Sequence, residues 1–147
     1  MGYGVWVTTA YGQSEPCKDK IPFATSYDVA YDISEDGITT VTEKITLRNL
    51  TSECYASQFK LTIGATQVSD IVASDSTGAM EAQTSQNDAT TAIEVKFNQQ
   101  IAGLDKTLPW TLQFKSKDFA EKQGKVWEVR APKISPSSNI DSYNLTI

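Results

Sequence analysis

The stretch "FATSYDVAYDISEDGITTVTEKITLRN" (residues 23–49) decides the fold of this chain. In residues 23–33, apolar and hydroxyl-bearing side chains alternate with polar ones, and a period of two is typical of a half-buried β-strand. Ser34–Gly37 supplies a turn, because glycine readily adopts a positive φ. Residues 38–49 then return with the same alternation. The stretch therefore predicts an antiparallel hairpin with one face on a hydrophobic core.

The same alternation recurs along the rest of the chain, interrupted by turn-forming residues. It predicts about eight to ten short strands and no long helix. A single helical turn is expected from Asp118 to Gln123, ended by Gly124. The inward positions of these strands define the predicted core: Tyr27, Val29, Tyr31, Ile45, Leu47, Phe59, Leu61, Ile93, Val95, Phe97, Trp110, Leu112, Phe114, Trp127 and Val129.

Short strands at regular spacing favour an all-β fold, an antiparallel immunoglobulin-like or fibronectin-like β-sandwich with an extra N-terminal strand. An open jelly roll is the alternative architecture. The Cys…Trp…Cys spacing of antibody domains is absent from the sequence, so kinship with antibodies is not expected.

The extra strand lies in an N-terminal arm, residues 1–11, joined by a linker, residues 12–22, to the sandwich domain, residues 23–147. A strand at the tip of a chain must pair with something or fray. The arm therefore packs on its own sheet or is donated to a neighbouring subunit, and the sequence leaves both possibilities open. The residues expected to carry this packing or donation are Tyr3, Val5, Trp6, Val7 and Thr9.

The two cysteines, Cys17 in the linker and Cys54 ahead of a predicted strand, are expected to form a disulfide. A composition rich in Ser and Thr and poor in Leu is typical of secreted proteins, in which disulfides persist. The bridge would close a long loop and add about 3–4 kcal/mol on the chain-entropy account.

Composition excludes several function classes. The net charge is −5, and the 13 Lys and Arg residues form no basic run, so neither nucleic acid nor an anionic membrane is an expected partner. The chain contains no histidine, so a Ser-His-Asp or Cys-His centre cannot be assembled from it alone. We expect a non-enzyme with no catalytic residues, no cofactor and no metal ligands.

Acidic residues gather near two predicted turns, with Asp32, Glu35 and Asp36 in one and Asp70 and Asp75 in the other. Calcium needs about six or more oxygen ligands converging from a loop. The spacing matches no calcium-binding motif, so solvated turns are the favoured interpretation.

The tryptophans allow a second interpretation, a sugar-binding platform, which would need exposed aromatic rings beside amides or carboxylates. Strand parity instead places Trp110 and Trp127 in the core and leaves Trp6 undecided.

Glu43 also falls on the inward side of its predicted strand. A lysine–asparagine isopeptide cross-link would use such a carboxyl, but no inward Lys–Asn pair is evident, so the cross-link is not expected.

No apolar run reaches the ~20 residues of a membrane span, and the first residues lack the features of a secretory signal. The composition nevertheless indicates an extracellular or cell-surface location. We therefore expect that a signal peptide was removed or that Met1 begins an excised fragment.

Two stretches, "TSYDVAYDISEDGITTVTEKITLRNLTSECYASQFKLTI" (residues 25–63) and "DFAEKQGKVWEVRAPKI" (residues 118–134), carry a resemblance to a known family. With the strands between them, residues 24–147 resemble the N-terminal β-sandwich domain of bacterial cell-surface proteins that also carry a transglutaminase-like, papain-type domain. The resemblance implies an exported cell-envelope domain that precedes an enzyme domain. The catalytic Cys, His and Asp of that enzyme would lie beyond residue 147, so none is assigned here.

Three functions follow as hypotheses. The first is a non-catalytic structural or spacer module of a bacterial surface protein, with a C-terminal transglutaminase-like domain as its partner in a longer chain. The second is a subunit of an extracellular, pilus-like filament, in which each N-terminal strand pairs with an identical neighbouring subunit. The third is a carbohydrate-binding or adhesion module.

Overall fold

The computed structural model describes residues 6–13, 17, 22–65, 67–131, 133–134 and 139–147. Over these residues the chain is an all-β sandwich, in which two sheets enclose one hydrophobic core. The strands are β1 (Trp6–Gln13), β2 (Phe23–Ile33), β3 (Thr39–Asn49), β4 (Tyr55–Ile63), β5 (Val68–Asp75), β6 (Gly78–Met80), β7 (Ala82–Gln86), β8 (Thr91–Ala102), β9 (Thr107–Ser116), β10 (Ala120–Gln123), β11 (Val126–Val129), β12 (Lys133–Ile134) and β13 (Ile140–Thr146).

The predicted hairpin forms the middle of sheet 1, whose strand order is β13-β2-β3-β9-β5-β6. β2 and β3 are antiparallel, from Phe23 opposite Asn49 to Ile33 opposite Thr39. Their connecting turn ends at Gly37, whose φ of +85° is strained for any residue with a side chain. Buried positions alternate along β3 from one end to the other, as the sequence predicts.

Sheet 2 has the strand order β12-β1-β4-β8-β7 and covers the inner face of sheet 1. The chain passes between the sheets at Glu81: β6 pairs with β5 in sheet 1, and β7 pairs with β8 in sheet 2. Residues 78–86 thus contribute one short strand to each sheet.

Side chains from both sheets meet in the core. The Phe59 ring of β4 contacts the Trp110 ring of β9 edge-on, with 5.2 Å between centroids. Phe97 and Val129 are partly buried and pack against this cluster. The other predicted core positions that are buried are Tyr27, Val29, Tyr31, Ile45, Leu47, Leu61, Ile93, Val95, Leu112 and Phe114.

The segment after β9 differs from its prediction. The helical turn expected over Asp118–Gln123 is wrong, because residues 120–123 form β10 and pair with β11 in a two-stranded hairpin. Gly124 does end that segment, with a φ of +65° at the hairpin turn. Phe119, which the sequence did not mark as core, is 2% exposed.

Trp127 is also a correction, since it is half-buried on this hairpin and lies outside the core cluster. It pairs across the hairpin with Lys122, whose ammonium lies 5.7 Å from the centre of its ring. Val129, two residues further along the same strand face, does pack against the core, so the core ends between these two positions.

Two edge pairings are parallel, which the antiparallel prediction did not include. β13 runs parallel to β2, with Tyr143 opposite Tyr27 and Leu145 opposite Val29. β1 runs parallel to the short β12. Every other strand pairing described in the two sheets is antiparallel.

One end of the sandwich, here the disulfide end, is defined by strand register. Gln13 lies opposite Ala56 in sheet 2, and Phe23 lies opposite Asn49 in sheet 1. The short connection over residues 50–54 joins β3 to β4, so these positions share one end of the molecule.

The opposite end, here the turn end, carries the Ser34–Gly37 turn. Val7 lies there opposite Ile63, and Thr146 lies there beside Ala30. β1 therefore begins, and β13 finishes, at the same end of the sandwich.

Candidate functional site: the two terminal strands

The N-terminal strand β1 lies inside a sheet rather than at its margin. It pairs antiparallel with β4, from Val7 opposite Ile63 to Gln13 opposite Ala56. On its other side, Trp6 and Val7 pair with β12. The backbones of Trp6, Val7 and Thr9 therefore belong to the chain's own sheet, whereas Tyr3 and Val5 lie outside the described residues.

β1 continues to Gln13, into the segment interpreted as a linker. Four residues further on, Cys17 is joined to Cys54 by a disulfide, which confirms the predicted bridge. The two Cα atoms are 5.9 Å apart, and both residues are at most 1% exposed. The bridge thus lies beneath the surface at the disulfide end, next to the last paired residue of β1.

The loop that presents Cys54 is fixed by a buried asparagine. The Asn49 Nδ2 donates to the carbonyl of Cys54 at 2.8 Å, and its Oδ1 accepts from the Thr51 backbone N–H at 3.0 Å. The Thr51 hydroxyl in turn accepts from the Cys54 N–H at 3.1 Å. Asn49 is completely buried, so these bonds hold the cysteine's backbone in one geometry. Sequence parity gave no sign of this role.

The C-terminal strand β13 is held differently. Among the described strands it has one neighbour, β2, and its pairing is irregular between Ile140 and Ser142. Its inward side chains, Tyr143 and Leu145, are only partly buried and pack against the core from the side. Near its start, Asp141 forms an ion pair of 3.3 Å with Arg48 of β3.

A buried carboxyl lies beneath this edge. Glu43 of β3 is 5% exposed on the core face, between Val29 of β2 and Leu112 of β9 in register. Its Oε2 is buried without a hydrogen-bond partner. Because burial penalises the charged form, the pKa of Glu43 is raised to about 7.

Two tyrosines share the site with Glu43. Burial raises the pKa of Tyr143 of β13, and the Glu43 charge raises it further. Burial likewise raises the pKa of Tyr31 of β2, followed by the charges of Tyr143 and Glu43. The Tyr31 hydroxyl donates weakly to the Arg130 carbonyl at 3.4 Å, whereas the Tyr143 hydroxyl is buried without a partner. The site therefore contains an unpaired donor and an unpaired acceptor.

The acidic turns are organised by their own hydrogen bonds. Ser34 donates its hydroxyl to the Asp36 carboxylate, and this bond lowers the pKa of that carboxyl. Asp75 accepts from the Thr77 hydroxyl, which lowers its pKa, and from Asn98 Nδ2 at 3.1 Å. Within the described residues, no three Cys, Asp or Glu side chains converge as metal ligands would.

The described tryptophans lie in two different environments. Trp110 is buried, at 3% exposure. Trp127 borders a shallow pocket of about 200 Å³ beside Glu35 and Asp36, where the Lys122 ammonium lies over its ring. Lys122 and Trp127 are also register partners across the β10–β11 hairpin.

In the part of the chain that the structure describes, no helix has the length and apolar character needed to cross a membrane. No known protein family matches the chain, and a comparison with curated proteins finds no match either.

Proposed function

We propose that this chain is a non-catalytic structural module of an exported bacterial surface protein, in which β1 completes the module's own sheet. The observation that carries the proposal is the position of the Cys17–Cys54 disulfide at the end of the β1–β4 pairing. Disulfides persist mainly in oxidising, extracellular compartments, which supports export.

The disulfide also bears on the filament alternative. Gln13 is four residues from Cys17, a span of about 14 Å at full extension. Its partner Ala56 is two residues from Cys54. With both cysteines joined within one chain, β1 is tethered to its own β4, and reaching another subunit would require displacing the paired end. If β1 were instead donated to a neighbouring subunit, the same geometry at Cys17 and Cys54 would require a disulfide between two chains.

This difference gives a direct test. The oxidised protein is run on a denaturing gel without reductant, and its native mass is measured by light scattering. We expect a monomer by both methods, with faster gel migration than a Cys17→Ala/Cys54→Ala control. A ladder of disulfide-linked species that collapses on reduction would instead support strand donation between subunits and overturn the proposal.

The partner in the proposal is a transglutaminase-like domain on the C-terminal side, and the resemblance of residues 25–63 and 118–134 supports it. The test is the intact mass of the native protein isolated from the cell envelope. We expect a mass well above the 16.1 kDa of these 147 residues, with Cys, His and Asp in the added part. A native protein of about this mass alone would contradict the partnership.

A further inference from the structure

β13 and the buried Glu43 together form a feature that the proposed function does not use. Glu43 is nine-tenths or more buried, and its Oε2 has no hydrogen-bond partner. A neutral carboxyl group tolerates such a position far better than a carboxylate, because an isolated buried charge costs several kcal/mol even after relaxation. Ionisation of Glu43 therefore requires either a new partner or access to water.

Lys44 and Arg48 of β3 and Lys115 of β9 alternate with the buried positions and so lie on the outer face of sheet 1, away from Glu43. Among the residues whose burial is described, in both sheets, no Lys or Arg is buried. The titratable groups facing Glu43 are Tyr31 from β2 and Tyr143 from β13, while β9 contributes Leu112. Both tyrosines stay neutral across the physiological range, because burial raises their pKa values further. The site therefore cannot neutralise a carboxylate with a positive charge from these residues.

The element that can admit water at least cost is β13. β2, β3 and β9 are each paired on two sides, whereas β13 has one described neighbour. Its Tyr143 hydroxyl is itself buried without a partner, so undocking would hydrate two unpaired groups at once. Undocking requires no change in the β2–β3 hairpin or in sheet 2.

We propose that β13 is a pH-gated edge strand, docked on β2 while Glu43 is protonated and undocked when Glu43 ionises. Undocking returns the carboxyl to water, where it ionises at its ordinary pKa. By linkage, the equilibrium constant for opening rises about tenfold per pH unit between the ordinary pKa of 4.5 and the docked value of about 7. Above that range the constant levels off.

The test is hydrogen exchange of the whole oxidised chain in the native state, measured from pH 5 to 8 for the wild type and for Glu43→Gln. Comparing the two proteins at each pH cancels the intrinsic pH dependence of exchange. We expect the amides of residues 140–146 to exchange through a local opening whose free energy does not change with urea at low urea concentrations. The opening constant should rise with pH in the wild type and stay flat in Glu43→Gln.

Amides of β4 and β8 provide the internal reference, because both strands are paired on two sides and we expect them to exchange only through larger, urea-sensitive unfolding. If β13 amides match β4 and β8 in protection and urea dependence, the carboxyl destabilises the whole domain and the gate is excluded. A pH slope that persists in Glu43→Gln also overturns the proposal.

Tyr143→Phe distinguishes the effect of the Glu43 carboxyl from that of the Tyr143 hydroxyl. It also keeps the proposal testable if Glu43→Gln fails to fold. This variant keeps the carboxyl and removes the buried hydroxyl. We expect the pH slope of β13 exchange to be retained, with a lower opening constant at every pH. Loss of the slope in Tyr143→Phe would assign the effect to the hydroxyl and contradict a gate driven by Glu43.

Discussion

The two terminal strands are built in opposite ways. β1 lies between β4 and β12, and four residues after its last residue Cys17 is joined by a disulfide to Cys54, the residue before β4. β13 lies at a sheet edge, separated by β2 from Glu43, whose buried Oε2 has no hydrogen-bond partner, and an exposed ion pair joins β13 to β3. The two strands have similar lengths, 8 and 7 residues, but we expect β13 to open first, because no disulfide closes it and a buried hydroxyl on it has no hydrogen-bond partner.

The largest expected effect comes from removing the bridge beside β1. Cys17→Ala/Cys54→Ala is expected to lower the free energy of unfolding by about 3–4 kcal/mol, because the open chain gains the entropy of a 37-residue loop. Urea denaturation measures the loss, and reduction of the wild type should reproduce it. A double variant as stable as the oxidised wild type would show that β1 does not depend on its bridge.

The next effect is the pH dependence set by Glu43. Its folded pKa is raised, so its contribution to stability is full below pH 4.5 and is lost as the pH rises through about 7. We expect the free energy of unfolding of the docked form to fall by about 3 kcal/mol across that window, relative to Glu43→Gln, and the measured fall to be smaller once undocked β13 becomes the main native form. Denaturation at several pH values checks this, and parallel curves for the two proteins would contradict it.

A smaller effect is expected from the apolar contact of β13. Leu145→Ala removes a half-buried side chain from the edge of the core and should cost about 1–2 kcal/mol, less than a fully buried leucine. Thr146→Ala is the matched control, since Thr146 is exposed on the same strand. Equal losses in the two variants would mean that β13 is held by its backbone pairing alone.

The smallest effect concerns the ion pairs of Arg48. Asp141→Asn breaks the 3.3 Å pair that reaches β13 and should cost less than about 1 kcal/mol, because both side chains are about 40% exposed. Asp105→Asn breaks the other pair of the same arginine, at 3.6 Å, without touching β13. Hydrogen exchange of β13 should respond to the first variant only, and high salt should abolish the difference.

Sequence reasoning succeeded where structure is local. A hairpin and its register follow from the alternation in residues 23–49, and its turn follows from the glycine at position 37. The residues that pair are close to one another in the sequence. The pairing of Cys17 with Cys54 was also predictable, because the chain contains two cysteines and has a secreted composition.

Nonlocal pairing was not predictable in the same way. Nothing in "IDSYNLT" (residues 140–146) indicates that it runs parallel to a strand more than a hundred residues earlier. In "DFAEKQGK" (residues 118–125), Glu, Lys and Gln favour a helix, and tertiary contacts of Phe119 with Tyr31 override that preference. The inward parity of Glu43 was readable, but its lack of a partner depends on residues from three strands.

The shared exit of the two terminal strands has a mechanical consequence. Because Trp6 and Thr146 lie at the same end of the sandwich, a pull between them acts across the strands rather than along them. Such a load unzips β13 from β2 one hydrogen bond at a time, whereas a lengthwise load would shear all of them together.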